Sequence, residues 1–223
     1  MATIADNLQQ IKARLARAQG VTLLAVSKGQ SALAVREAAA AGQKAFGENY
    51  VQEAVAKMDA LRSESPGLEW HLIGPLQSNK TRIVAERFDW VQSVASEKIA
   101  RRLAEQRPAG APALCVLLQV NASGEASKSG VAPRDVPALC EKVAALKGLR
   151  LRGLMAIPEP GAPPERYREM KRLFDRLKER FGLDTLSMGM SDDMELAIAE
   201  GATLVRIGTA IFGARKTPAE KAA

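Results

Sequence analysis

Strand-like apolar runs and segments of helical periodicity alternate along the whole chain, eight strands in all. The runs fall at residues 21–27, 44–47, 69–73, 89–94, 113–120, 150–156, 185–188 and 203–207. Between them lie helical stretches at 31–41, 49–61, 77–87, 96–107, 133–146, in the stripe from Met170 to Phe181, and at 191–200. An amphipathic helix over 3–18, with Ile4, Leu8, Ile11 and Leu15 on one stripe, opens the chain. Parallel strands need long crossovers, and helices supply them, so the alternation predicts a parallel sheet. Eight units predict closure into a single (βα)8 TIM-type barrel of the α/β class with one extra N-terminal helix. The competing fold is a doubly wound open sheet, but no G-x-G-x-x-G follows the first strand. No break in composition marks a second domain. The 223 residues are read as one domain, with the barrel over 21–213 and a tail over 214–223.

Composition narrows the partners. The N-terminus is amphipathic rather than apolar, so no signal peptide is expected. No run approaches the ~18 apolar residues of a membrane span. The net charge of +7 invites a nucleic-acid reading. However, the basic residues are interleaved with acidic ones, as in 166–180, and neither an RNP-like aromatic motif nor zinc-finger spacing is present, so no nucleic-acid role is assigned. Cys115 and Cys140 have no metal or CxxC spacing and read as small apolar side chains in a reducing cytoplasm. No metal site is expected.

In a barrel of this kind the chemistry sits where the strands end. The first strand ends in Ser27-Lys28-Gly29. A lysine there loses water from its ammonium, which lowers its pKa and frees an amine nucleophilic toward aldehydes. The plain alternative is a lysine that snorkels into solvent. Strand two ends in Gly47-Glu48-Asn49-Tyr50. Strand three carries His71 and runs into Gly74-Pro75. Strand five ends at Asn121, before a Gly/Ser-rich loop containing Lys128. Strand seven runs into Ser187-Met188-Gly189-Met190-Ser191, strand eight into Arg206-Ile207-Gly208-Thr209. Glycines that admit an anion to backbone amides, Ser191 at a helix start, and the Ser191 and Thr209 hydroxyls form a candidate phosphate cup. An amine facing such a cup suits an aldehyde that carries a phosphate. A sugar phosphate in a Schiff-base aldolase and pyridoxal 5′-phosphate (PLP) both meet that description.

Five blocks separate them. Ala25-Val26-Ser27-Lys28, Phe46-Gly47-Glu48-Asn49-Tyr50-Val51-Gln52-Glu53, residues 70–80 (Trp-His-Leu-Ile-Gly-Pro-Leu-Gln-Ser-Asn-Lys), residues 187–193 (Ser-Met-Gly-Met-Ser-Asp-Asp) and residues 206–213 (Arg-Ile-Gly-Thr-Ala-Ile-Phe-Gly) resemble the pyridoxal phosphate homeostasis protein family, also described as proline synthetase co-transcribed homologues. The resemblance spans 21–213. It implies a barrel like the N-terminal domain of alanine racemase that holds PLP. Lys28 matches the family's Schiff-base lysine. Met190, Ser191, Gly208 and Thr209 match its phosphate cup, and Arg206 the arginine facing the pyridine nitrogen. Asn49 matches a residue beside the ring. His71 is placed near the cofactor or, equally, as a satisfied core histidine. Lys128, Arg215 and Lys216 match basic residues that handle PLP outside the main site.

Alanine racemases add a second domain that supplies a catalytic tyrosine. Here Tyr50 follows strand two and Tyr167 lies on what reads as a surface helix, and neither resembles that base. Racemisation needs an acid/base group on each face of the substrate carbanion. The expectation is therefore a monomeric, cytoplasmic, non-enzymatic PLP-binding protein that buffers or delivers the cofactor, with apo PLP-dependent enzymes as partners. The alternative is a small PLP-dependent amino-acid racemase or another fold-type III PLP enzyme.

Overall fold

A computed structural model describes residues 2–123 and 129–214 of the chain. Eight parallel strands close into a barrel in sequence order: β1 Thr22–Val26, β2 Ala45–Glu48, β3 Glu69–Leu72, β4 Trp90–Val94, β5 Leu114–Val120, β6 Leu149–Ala156, β7 Thr185–Ser187 and β8 Leu204–Ile207. Closure is made by β1 pairing β8, with Leu24 opposite Arg206. The helices are α1 Ile4–Leu15, α2 Ala32–Ala40, α3 Val51–Leu61, α4 Thr81–Arg87, α5 Glu97–Gln106, α6 Val136–Ala144, α7 Pro164–Phe181, α8 Met194–Ala199 and α9 Thr209–Phe212. The predicted (βα)8 barrel with its extra N-terminal helix is the observed fold.

Strand alternation sorts the side chains into two cores. Odd-numbered β1 and even-numbered β2 positions, such as Ala25 and Phe46, pack outward against the helices in one large apolar cluster. Even-numbered β1 positions face the lumen, where Leu24 and Leu204 meet Ile73. A second lumen cluster contains Trp90, Leu117 and Met155. On α7, Met170, Leu173, Phe174 and Leu177 form the expected buried stripe. Each such side chain contributes about 1.5–3 kcal/mol by leaving water. The N-terminal helix opens with a capping box between Thr3 and Asp6. It docks beside the last helix, where Asn7 Nδ2 donates to Ile211 O at 3.0 Å.

Three local expectations are corrected. The helix predicted over 77–87 is a 3-10 turn at Ser78–Lys80 followed by α4. The helix expected over 191–200 begins later, at Met194 with Asp193 in the cap position, so Ser191 does not stand at its start. Tyr167 does not lie on an exposed face: it is the largest fully buried side chain. Its spacing from Met170 and Phe174 continues the apolar stripe, and its hydroxyl has a partner in Asp193.

Candidate functional site

Lys28 follows β1 with the parity of Leu24 and Val26, so it lies on the lumen side of the mouth, half-buried. Its two neighbours are held from the other side of the barrel wall. Lys57 of α3, 5% exposed, donates to Ser27 O at 2.6 Å, to Glu48 Oε1 at 2.6 Å and to Glu53 Oε1 at 2.8 Å. Ser27 Oγ donates to Glu48 Oε1 at 2.6 Å, and Gly29 N donates to Glu53 Oε1 at 2.6 Å. The backbone on both sides of Lys28 is thus tied to one buried ionic cluster. Burial pushes the Glu48 carboxyl above the usual carboxylate range, against the pull of the Lys57 ammonium. Sequence reasoning missed Lys57. The signal was its position on the apolar stripe of α3 with Val51, Ala54, Met58 and Leu61, where a lysine needs a buried partner.

Two strands away from β1 around the barrel, beyond β8, the loop after β7 is shaped by Gly189. Its φ is +94°, and a Cβ there would stand 2.5 Å from Ala197 Cβ. The next amide, Met190 N, donates to Asp193 Oδ1 at 2.6 Å, and Tyr167 Oη donates to Asp193 Oδ2 at 2.5 Å. Asp193 therefore fastens the Gly189-Met190-Ser191 turn to α7. The Met190 amide is engaged by that carboxylate, so in this arrangement the cup offers Ser191 and the Gly208–Thr209 start of α9. Gly189→Ala is expected to cost about 1–3 kcal/mol, because it combines a left-handed φ with an overlap. Chemical denaturation checks this, and a change within error would refute the strain argument.

Arg206 lies inside the mouth, 4% exposed. Its backbone N donates to Gly189 O at 3.0 Å, linking β8 to the loop after β7. Nη1 donates to Ser187 Oγ at 2.7 Å and Nη2 to Ala156 O at 2.8 Å. No carboxylate pairs with it among the described residues, and burial draws its pKa down to about 10 against the distant charge of Asp193. Arg206 is thus a buried, charged guanidinium at neutral pH.

Behind it, Ser187 Oγ contacts Gln92 Oε1 at 2.7 Å, Gln92 Nε2 contacts His71 Nδ1 at 2.9 Å, and His71 Nε2 contacts Glu69 Oε1 at 2.7 Å. His71 is 1% exposed, stacks on Trp90 at 5.0 Å between centroids, and has both ring nitrogens engaged. Burial pushes its pKa below 6.5, although Glu69 and Asp89 pull the other way. Above about pH 6.5 the ring is neutral in both folded and unfolded chains. As pH falls below that value, the unfolded chain takes up a proton that the folded one refuses, so stability is lost down to the depressed folded pKa. Denaturant titrations at falling pH should show this slope, at most about 1.4 kcal/mol per pH unit, and His71→Gln should remove that share of it.

Asn49 follows β2 and approaches β3 closely: a Cβ on Gly74 would stand 2.3 Å from Asn49 O. Asn49 lines a cavity of about 320 Å³ over the ends of β2, β3, β5 and β6, with Gln119, Asn121, Ser129 and Ile157. Its Oδ1 is buried and finds no partner among the described residues. A larger cavity of about 590 Å³ opens near Trp70 and Asp89, where β3 and β4 begin, at the opposite end from Lys28. Volume alone therefore does not mark the site. Lys128, Arg215 and Lys216 lie outside the described residues. Of the remaining predicted residues, Lys28, Asn49, Met190, Ser191, Gly208 and Thr209 follow the ends of β1, β2, β7 and β8. Arg206 reaches the mouth from within β8, and His71 sits in the lumen, connected to Arg206 through Gln92 and Ser187. An orphaned Asn49 oxygen, a lumen-side amine, a buried cation and two glycine loops at neighbouring strand ends suit an aromatic aldehyde with a phosphate.

These features define a class: (βα)8 barrels with a lysine following the first strand and glycine-containing loops after the seventh and eighth. The family model of the alanine racemase N-terminal domain matches residues 1–216. The pyridoxal phosphate homeostasis protein of Pseudomonas aeruginosa is 61% identical over 96% of this chain and 97% of its own. That of Escherichia coli K12 is 52% identical over 96% and 98%. The structure of PipY from Synechococcus elongatus with PLP bound superposes with a TM-score of 0.85 at 39% identity, over 95% of this chain and all of that one. An alanine racemase from Clostridium difficile shares the fold alone, with a TM-score of 0.72 at 15% identity over 96% of this chain and 58% of that one. The chain belongs to the pyridoxal phosphate homeostasis protein family, within the alanine racemase N-terminal-domain group.

Proposed function

We propose that this protein binds PLP through Lys28 and serves PLP homeostasis, buffering and delivering the cofactor without a catalysed reaction of its own. The observation that carries the proposal is Lys28 itself, on the lumen side of the mouth, braced through Ser27 and Gly29 by a buried ionic cluster, beside the Gly208–Thr209 loop of the neighbouring β8, with the Gly189–Ser191 loop after β7 one strand further on. Bound PLP supplies an aldehyde that an amine takes up reversibly and a ring that draws electrons from an attached carbon. Ser191 and Thr209 would hold the phosphate, and Asn49 would offer its buried, unpartnered Oδ1 to the bound group. Arg206 holds positive charge where the resemblance puts the pyridine nitrogen. A cation there disfavours protonation of that nitrogen and weakens the ring as an electron sink.

The tyrosines support a carrier rather than a racemase. The Tyr167 hydroxyl is tied to Asp193 and burial pushes its pKa up, so it is a poor base, while Tyr50 is 65% exposed. The large apolar side chains that are exposed among the described residues, Leu33, Tyr50, Ile157 and Met190, all follow the C-terminal ends of strands. Apolar surface beside the cofactor exit supports docking of an apo PLP-dependent enzyme. The outer face of α7 instead carries ion pairs such as Arg168–Glu200 and Arg172–Glu165, which suit a solvated face and a monomer. No described helix is long and apolar enough to cross a membrane, and a cytoplasmic setting is part of the proposal.

The test is the visible spectrum of the purified protein with added PLP, before and after borohydride, alongside α-hydrogen exchange of amino acids in heavy water. A bleachable yellow band without exchange supports the carrier. Rapid exchange that depends on Lys28 would make the protein an enzyme. Failure to take up PLP would refute the cofactor reading.

A further inference from the structure

Five polar side chains, Arg206, Ser187, Gln92, His71 and Glu69, form a file from the mouth to the far end of the barrel, and chemistry fixes its direction. Arg206 has only donors, so Nη1–H must donate to Ser187 Oγ, 2.7 Å away. The single Ser187 proton then goes to Gln92 Oε1 at 2.7 Å. Gln92 is left presenting its amide N–H to His71 Nδ1 at 2.9 Å, so that nitrogen carries no proton. The proton of the neutral ring is on Nε2 and is donated to Glu69 Oε1 at 2.7 Å. The opposite orientation fails at both ends. With the Gln92 amide reversed, its NH2 would face Ser187, whose proton would have no acceptor because Arg206 offers none. Nδ1 would then hold the proton, and a bare Nε2 would face a carboxylate. A cation at one end and a carboxylate at the other leave one consistent order.

We propose that Ser187, Gln92 and His71 are positioning residues for Arg206: a one-way file of donors running through the lumen to Glu69 holds the guanidinium in one plane and the histidine as its neutral Nε2–H tautomer. This deepens the reading of the mouth as a PLP site, on which only its binding readout rests. The charged and titratable groups around the ring are accounted for. Glu69 accepts from it within β3, and Asp89 faces it from the start of β4. Arg152 of β6 lies over the opposite partner, Trp90, at 4.7 Å, with Cys115 of β5 beside Arg152 at 3.8 Å. Gln92 occupies Nδ1, so the described groups leave no carboxylate to accept a second ring proton there. Guanidinium geometry matters because Arg206 is buried and lacks an ion-pair partner among the described residues that would orient it otherwise.

The chain has one histidine, so one imidazole appears in a long-range 1H–15N spectrum of histidine-labelled protein. At neutral pH the unsubstituted protein should give the neutral Nε2–H pattern. An Nδ1–H tautomer or an imidazolium would overturn the file, whether or not PLP binds. In Gln92→Glu the new carboxylate accepts from both Ser187 and the ring, and the same signal should switch to the doubly protonated form. An unchanged neutral ring would count against the assigned order. The link to Arg206 is read by a cycle of PLP affinities. Gln92→Leu should weaken binding about tenfold with Arg206 present and less than about twofold in an Arg206→Ala background. Equal losses in both backgrounds would reduce the file to core packing and overturn its positioning role. If the unsubstituted protein takes up no PLP, the cofactor reading falls and the tautomer alone decides the file.

Discussion

Lys28→Ala is expected to abolish borohydride-fixed pyridoxyl incorporation and to weaken PLP binding about a hundredfold or more, equivalent to about 2.7 kcal/mol. The fold should survive. The turn that carries Lys28 is held through Ser27 O, Ser27 Oγ and Gly29 N, none of which belongs to the lysine side chain. Lys28 is half-buried, so its truncation opens no sealed cavity. What disappears is the amine that captures the aldehyde. The loops after β7 and β8 and Arg206 are untouched, so on the proposed reading weak, non-covalent binding should persist and remain sensitive to competing phosphate. Labelling of Lys28→Ala at the level of the unsubstituted protein would show that another amine does the work.

Lys57→Met is expected to destabilise the protein by about 3–5 kcal/mol, because it leaves the buried Glu48 carboxylate without its counter-charge. For a chain of this size that is a fall in Tm on the order of 6–20 °C. Ser27 O also loses a donor, and Glu48 Oε2 already lacks one. The sign of the pH dependence follows from Glu48, whose carboxyl is raised by burial even with Lys57 present. Without the ammonium it takes a proton more readily, so the deficit should shrink as the pH falls and grow as it rises. Replacing Glu48, Glu53 and Lys57 together by leucine should cost much less than the single change, because a well-packed apolar patch avoids desolvating charges. The cluster holds the backbone around Lys28, so the single variant should also take up PLP more slowly. Thermal melts across pH test the first effect. A loss below about 1 kcal/mol would mean that the cluster is solvated rather than buried.

Much of this architecture was legible before any coordinates. The alternation of apolar strands and helices dictates a parallel sheet, because each helical crossover returns the chain to the end of the sheet where the previous strand began. Lys28, Gly189, Ser191 and Gly208 could be placed because strand ends of a barrel face one way and local residue types mark them. Ser191 was placed at a helix start because a serine was read in isolation. Asp193, two residues later, has a carboxylate that serves Met190 and Tyr167 instead of the helix. Tyr167 was misread because its charged neighbours in α7 masked the buried stripe on which it lies.

Local pattern determines which segments become strands and helices, and where a lysine or a glycine ends them, since both follow from periodicity and backbone preference within a few residues. Closure of the barrel decided the rest. Only when β1 meets β8 and the lumen is formed do Arg206, Ser187, Gln92, His71 and Glu69, drawn from four strands, fall into one file. Only when α3 packs on the wall does Lys57 reach Ser27 and Glu48. Such groups lie far apart in the chain and gain their partners by leaving water together, so their roles come from the tertiary structure.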